Sequence, residues 1–224
     1  MMSESVHKLD PGEPEKENPS LFKLITNPSE QFARMKENPT VAVPLLMVTA
    51  LFAVWSAIFA YTTDFQTLMG DVPPGQVAFV EAAEGLTRLI TFISGLFIPA
   101  LGSLFVALIM LIAVKLTAAE ATFKQLFSLN VFVTLITGIG LLVNLTIVLV
   151  FGLNPLQTYT GLPVFFDPMD PVFPLVAMAE VFGIWLLILT VMGLRIVASM
   201  STTAAWVTAL VIYVGGSFIS YLFV

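Results

Sequence analysis

The stretch that decides the fold runs from Leu89 to Val114, LITFISGLFIPALGSLFVALIMLIAV, and it contains no charged side chain. A helix that crosses a bilayer needs about 20 predominantly apolar residues. Other runs of comparable length share this character, and the predicted spans are 41–61, 89–114, 129–151, 174–194 and 204–223. The chain is therefore predicted to be an all-α integral membrane protein with five transmembrane helices.

The composition agrees with this prediction. Hydrophobic residues make up 58% of the chain and charged residues 11%, whereas soluble domains carry about 25% charged residues. The chain has no cysteine, which excludes disulfides and thiolate metal sites. It also lacks a phosphate loop, a dinucleotide-binding turn and a nucleophile elbow. We expect no enzyme activity, no catalytic residue, no metal, no cofactor and no nucleic-acid partner.

The basic residues indicate the orientation. If the chain crosses five times, eight of its nine Lys and Arg residues lie on the side of the N-terminus, and only Arg88 lies on the other side. Cytoplasmic loops of membrane proteins carry the excess of basic residues. The N-terminus is thus predicted to be cytoplasmic and the C-terminus to lie outside.

Three segments precede or form the membrane domain. Residues 1–19 are polar and are predicted to be a disordered tail. Residues 20–39 are predicted to form short amphipathic helices on the cytoplasmic surface, and residues 40–224 the five-span domain. The second short helix has Asn27 as its N-cap, and its candidate interfacial residues are Pro28, Glu30, Phe32, Arg34 and Lys36. Two interpretations stay open: this helix contacts anionic lipid headgroups, or it packs on the membrane domain.

Polar residues inside the predicted spans form a candidate site. Glu180 lies about six residues inside the outward end of the fourth span, where an isolated carboxylate is costly. Asn144 in the third span lies at a similar depth, and Ser94 and Arg88 belong to the outer part of the second. The sequence is compatible with a substrate or proton site and with a structural hydrogen-bond clamp. Pro99 is a candidate kink in the second span. Residues 76–88 either lie on the membrane surface or extend that span.

Several stretches together resemble the Yip family of five-span membrane proteins, in its bacterial branch. They are residues 27–39 (NPSEQFARMKENP), residues 122–127 (TFKQLF) after a span ending in Lys115-Leu116, and the pattern from Gly183-Ile184-Trp185 through Gly193-Leu194-Arg195 to Ala204-Ala205-Trp206. The resemblance implies a five-helix bundle with a cytoplasmic N-terminus, in a bacterial plasma membrane. Eukaryotic relatives bind small GTPases, but the chain lacks their long acidic N-terminal domain, so this activity is not carried over.

Two functions are compatible with these observations. Bacterial members look like accessory or permease-like proteins, some associated with ABC exporters. The leading hypothesis is a non-enzymatic partner or assembly factor of a membrane complex, which contacts lipids and either a membrane-protein partner or a second copy of itself. The alternative is a small transporter or permease component with a polar site around Glu180 and Asn144. A cavity that reaches Glu180 would favour transport, and a sealed bundle with an exposed face of small residues would favour the partner role.

Overall fold

The computed structural model describes residues 17–64, 77–167 and 170–222, with the side chains of 77–82 and 219–222 outside the description. These ranges form an all-helical protein. Its helices are α1 (Leu21–Thr26), α2 (Pro28–Glu37), α3 (Ala42–Thr62), α4 (Val77–Leu116), α5 (Phe123–Phe151), α6 (Phe173–Ala177), α7 (Val181–Val197) and α8 (Thr202–Leu222), with a 3₁₀ turn at Leu162–Phe165. Most of the tail predicted to be disordered, residues 1–16, lies outside the described residues.

The first two helices pack against the bundle. Leu24 of α1 and both Phe32 and Met35 of α2 are fully buried, and α2 packs on α5 and α7. The i, i+3 spacing of Phe32 and Met35 places both side chains on one face of the helix. Phe22 of α1 points away from this interface, with 72% of its surface exposed. Of the two interpretations of this segment, the structure shows the packed one for α2.

Helix α5 lies at the centre of the bundle. It packs on α3, α4 and α7, and its buried residues include Leu129, Phe132 and Ile136. A capping box starts α5, because the Thr122 side chain accepts from the Gln125 N–H while the Gln125 side chain accepts from the Thr122 N–H. The sequence TFKQ thus ends the connection after α4 and fixes the residue at which α5 begins.

Helix α4 is longer than the predicted span. It runs without interruption from Val77 to Leu116, 40 residues, which corresponds to about 60 Å at 1.5 Å per residue. Residues 77–88 therefore extend the second apolar helix. Pro99 is buried within α4, and the helix continues past it, so a functional kink there stays a prediction.

The fourth apolar stretch differs from its predicted span of 174–194. It is divided into α6, which ends at Ala177, and α7, which begins at Val181. Between them, Glu180 adopts an extended conformation with φ −104° and ψ 141°. Glu180 therefore does not lie six residues inside a helix but directly precedes one. The physical reason lies in the connection between α5 and α6, described below.

Among the described residues, three helical stretches are long and apolar enough to cross a membrane: Ala42–Thr62, Ala83–Leu116 and Phe123–Phe151. Two further helices are equally apolar but shorter within the described range, Val181–Val197 and Thr202–Phe218. The 17 residues of α7 span about 26 Å, against roughly 30 Å of hydrocarbon.

Candidate functional site

Glu180 is the N-cap of α7. One carboxylate oxygen accepts a hydrogen bond from the backbone N–H of Gly183 at 2.6 Å, and the other accepts from the Thr160 hydroxyl at 2.6 Å. An acidic group at a helix N-terminus is stabilised by the exposed N–H groups and by the helix dipole. The sequence suggested a carboxylate without partners inside a span, whereas in the structure the Glu180 carboxylate has two hydrogen-bond donors.

The connection between α5 and α6 pairs with the break before α7. The N–H of Val181 donates to the carbonyl of Thr160 at 3.0 Å, and the N–H of Leu162 donates to the carbonyl of Ala179 at 3.1 Å. Between them, Gly161 lies so close that a Cβ atom on it would be 2.4 Å from the Ala179 oxygen. These backbone bonds replace the helical ones, which is why the fourth stretch is not one continuous helix.

Asn144 holds the same connection from the side of α5. Its amide donates to the carbonyl of Gln157 at 3.1 Å, and its amide oxygen accepts from the N–H of Tyr159 at 2.7 Å. Gln157 is itself buried, and its amide donates to the carbonyls of Pro163 and Phe166. Asn144 and Gln157 therefore tie the connection into a folded loop.

A cleft of about 380 Å³ opens beside Glu180. We call it the Glu180 cleft, and its polar lining comprises Thr137, Asn144, Thr158, Thr160, Glu180, Tyr213 and Ser217. A second cleft of about 370 Å³ lies next to it, toward Pro99 and Asn130. We call this one the central cleft, and the residues common to both linings are Thr137, Leu186, Tyr213 and Ser217. The structure thus brings Glu180 and Asn144 to one cavity.

Arg88 lies away from this cavity. Its guanidinium donates to the carbonyls of Ala60 (2.8 Å), Tyr61 (3.1 Å) and Thr63 (3.2 Å) at the end of α3. It also forms an ion pair with Glu84 at 2.7 Å. A cation at a helix C-terminus is favoured by the helix dipole. Arg88 therefore links α4 to α3 and is absent from the lining of the Glu180 cleft, although the sequence placed both residues in one candidate site.

Ser94 is likewise absent from the linings of both clefts. It lies on α4 next to Gly95, where a Cβ atom would be 2.1 Å from the Ser56 hydroxyl oxygen. The small residue at Gly95 lets α3 and α4 approach closely, as is typical of packed membrane helices. The predicted four-residue cluster is thus divided between a cavity and a helix–helix contact.

The candidate interfacial residues of α2 form contacts within the protein. Asn27 precedes the helix, and its amide donates to the Glu30 carboxylate without capping the backbone. Arg34 pairs with Glu30 and Glu17. The ammonium of Lys36 donates to the Ser199 hydroxyl at 2.7 Å, which joins α2 to the turn between α7 and α8.

Three residues of this site could not be singled out from the sequence alone. Tyr213 lies in an apolar run, yet its hydroxyl donates to the carbonyl of Met178 at 2.8 Å. This hydrogen bond links α8 to the segment between α6 and α7. Thr160 and Gln157 lie in a loop rich in proline and glycine, a composition that predicts a loop but singles out neither residue. Within the ranges that the structure describes, no group of three metal-binding side chains is found.

The sequence is similar to known membrane proteins. The sequence profile of the Yip1 domain matches residues 22–223. A protein described as "Membrane protein YknW" from Bacillus subtilis (strain 168) is 33% identical over 200 residues, covering 88% of this chain and 86% of the relative. No solved structure is significantly similar.

Proposed function

Because the chain belongs to the Yip1 domain family of membrane proteins, we propose that it acts without catalysis, as an accessory or assembly factor of a membrane complex of the ABC-exporter type. The exporter partner follows from the resemblance to bacterial members with such associations. The proposal includes five spans in a bacterial plasma membrane, with α7 and α8 as the fourth and fifth. The resemblance and the distribution of basic residues support a cytoplasmic N-terminus.

An apolar groove between α4 and α8 carries the proposal. It has a volume of about 540 Å³ and is lined by Ile109, Ile112, Ala113 and Leu116 of α4, by Thr203, Ala204, Val207, Thr208 and Val211 of α8, and by Thr117 and Ser201 just outside these helices. Small residues such as Ala113 and Ala204 let a further helix approach closely. We infer that a transmembrane helix of the partner occupies this groove.

The test is capture of the complex from native membranes after crosslinking. Val207 lines the groove and is 56% exposed, so Val207→Trp adds bulk inside the groove at a position outside the buried core. Leu101, 60% exposed on α4, is absent from the groove lining, so Leu101→Trp is the matched control. We expect exporter subunits, identified by mass spectrometry, with wild type and Leu101→Trp, and about tenfold less with Val207→Trp (about 1.4 kcal/mol).

One result would contradict the accessory role, and another would contradict only its docking surface. Recovery of the chain alone, or only of its own crosslinked copies, would show that it has no stable partner. Equal recovery with both tryptophan variants would show that the groove is not the docking surface. A normal amount of each variant in the membrane fraction is required for the comparison.

A second candidate, a small transporter or permease component, is favoured by one observation: the Glu180 cleft reaches a carboxylate at a break in an apolar helix. Interrupted helices that line a cavity are typical of substrate sites in transporters. Uptake or efflux in vesicles that contain only this chain would support it, and transport only in the presence of the exporter would favour the accessory role.

A further inference from the structure

The carboxylate of Glu180 has unused hydrogen-bonding capacity on the side of the cleft. A carboxylate offers about four lone-pair sites, and two are occupied by the bonds from Thr160 and Gly183. The dipole of α7 supplies about half a positive charge at its N-terminus, so it compensates only part of the negative charge. The remainder is available to a cation.

No lysine or arginine of the described chain supplies that cation. Arg88 is bound to Glu84 and to the end of α3. The other described basic residues lie on α1 and α2 or beside the α4–α5 and α7–α8 connections: Lys23, Arg34, Lys36, Lys115, Lys124 and Arg195. Contacts of α2 with Ser199 and Gln125 place these elements at one end of the bundle, and α7 separates that end from Glu180 by about 26 Å.

The neighbouring groups also favour a hydrogen-bond donor. The Thr160 hydroxyl donates its hydrogen to Glu180, and the Tyr213 hydroxyl donates its hydrogen to Met178. Each hydroxyl has therefore used its hydrogen, and its oxygen can form a further hydrogen bond only as an acceptor. An ammonium group carries three donors and no acceptor, whereas an anion would be repelled by the carboxylate.

The central cleft supplies an apolar extension of the same cavity. Beyond the shared residues, its lining includes Ile98, Val106, Leu187 and Ile212. The volume of each cleft falls within the range of about 300–1,000 Å³ that is typical of small-molecule sites. A ligand with a charged head and an apolar tail would place the two ends in the two clefts.

We propose that the Glu180 cleft binds the ammonium group of a cationic amphiphile, with its apolar tail in the central cleft. This inference names the ligand class for the site of the second candidate function, and it rests on that site without requiring transport. It is also independent of partner recruitment through the groove between α4 and α8. One experiment can therefore contradict the ligand site without contradicting the docking groove, and the reverse.

The experiment is calorimetric titration of the purified full chain in an uncharged detergent, with detergent blanks. The probes are dodecylammonium, its neutral analogue dodecanol, and ethylammonium, which has the head without the tail. We expect saturable binding of dodecylammonium, and no saturable binding of dodecanol. Ethylammonium should bind at least about tenfold more weakly, because it leaves the central cleft empty.

Two variants and one control variant locate the site. Glu180→Gln keeps an acceptor oxygen for Gly183 but removes the charge, and should weaken dodecylammonium binding about tenfold or more. Glu120→Gln, an exposed carboxylate at the opposite end of the bundle, should leave it unchanged. Thr137→Leu narrows the junction of the clefts and should weaken dodecylammonium while leaving ethylammonium unaffected.

Competition by a short-chain phosphatidylethanolamine identifies the source of the ammonium group. Displacement of dodecylammonium indicates a lipid headgroup, and no displacement indicates a free amphiphilic amine; in both cases the cation site stands if Glu180→Gln weakens binding. Equal affinity of wild type and Glu180→Gln, or equal binding of dodecanol, would show that Glu180 is only a helix cap. If Glu180→Gln does not fold, the wild-type chain provides the test. Binding of dodecylammonium without binding of dodecanol supports the cation site, and equal binding of the two contradicts it.

Discussion

Tyr213 and Gly183 show how closely single residues are matched around the break before α7. A Cβ atom on Gly183 would lie 2.2 Å from the Tyr213 hydroxyl oxygen and 3.1 Å from its Cζ atom. The glycine is therefore required for the approach of α8 to the start of α7, and the hydroxyl reaches Met178 only because no side chain stands between.

Gly183→Ala is predicted to destabilise the protein by about 1–3 kcal/mol, the usual effect of overpacking. The Tyr213→Phe variant removes the clashing oxygen, so the alanine should be less destabilising in that background. Thermal unfolding of the two single variants and the double variant in detergent measures this coupling. Additive effects would show that Gly183 and Tyr213 do not interact in the way the structure indicates.

At the scale of elements, the break between α6 and α7 depends on the loop that follows α5. Backbone bonds from Thr160 and Leu162 hold the break in extended form, and Asn144 fixes that loop to α5. We therefore expect Asn144, a polar residue of another helix, to act as a structural clamp for the Glu180 cleft.

Asn144→Leu is predicted to loosen residues 154–166 without unfolding the bundle. Two hydrogen bonds are lost, each contributing about 0.5–1.5 kcal/mol, so local opening should become about tenfold more frequent or greater. Hydrogen exchange of the Tyr159 amide measures it. Thr146→Val is the control, because it removes a side-chain bond to Leu142 within the same helix. Unchanged exchange at Tyr159 would contradict the clamp.

At the scale of the whole molecule, the two ends of the bundle differ in charge. Six of the described basic residues lie on α1 and α2 or beside the α4–α5 and α7–α8 connections at the same end, whereas Arg88 lies at the other end, bound to Glu84. Because basic residues are retained on the cytoplasmic side, the structure and the charge pattern together suggest one orientation for the proposed five spans.

Labelling of single cysteines tests that orientation, and the chain has no native cysteine to interfere. Phe165→Cys lies on the 3₁₀ turn, where Phe165 is 80% exposed. Glu120→Cys lies in the connection between α4 and α5. In intact cells, a membrane-impermeant maleimide should label Phe165→Cys alone, and both variants after lysis. Labelling of Glu120→Cys alone in intact cells would indicate the opposite orientation. Labelling of both variants in intact cells would exclude an odd number of membrane crossings between residues 120 and 165.

The sequence by itself determined the membrane character, the all-helical class and the family. Long apolar runs, few charges and short turn motifs such as TFKQLF are local properties, so they can be read without the fold. The amphipathic α2 was predictable for the same reason, since its buried Phe32 and Met35 follow helical spacing.

Only the tertiary structure decided where the fourth apolar stretch breaks and what surrounds Glu180. The residues Met178-Ala179-Glu180 contain no glycine or proline that would announce a break. The backbone groups of Thr160 and Leu162 pair with those of Val181 and Ala179, and the Tyr213 hydroxyl donates to the Met178 carbonyl. These partners from distant positions in the chain take up backbone groups that a continuous helix would bond internally. Likewise, Arg88 is drawn to the end of α3 because unpaired carbonyls and Glu84 lie within its reach. Such choices depend on which groups meet in space, and the order of residues along one span does not contain that information.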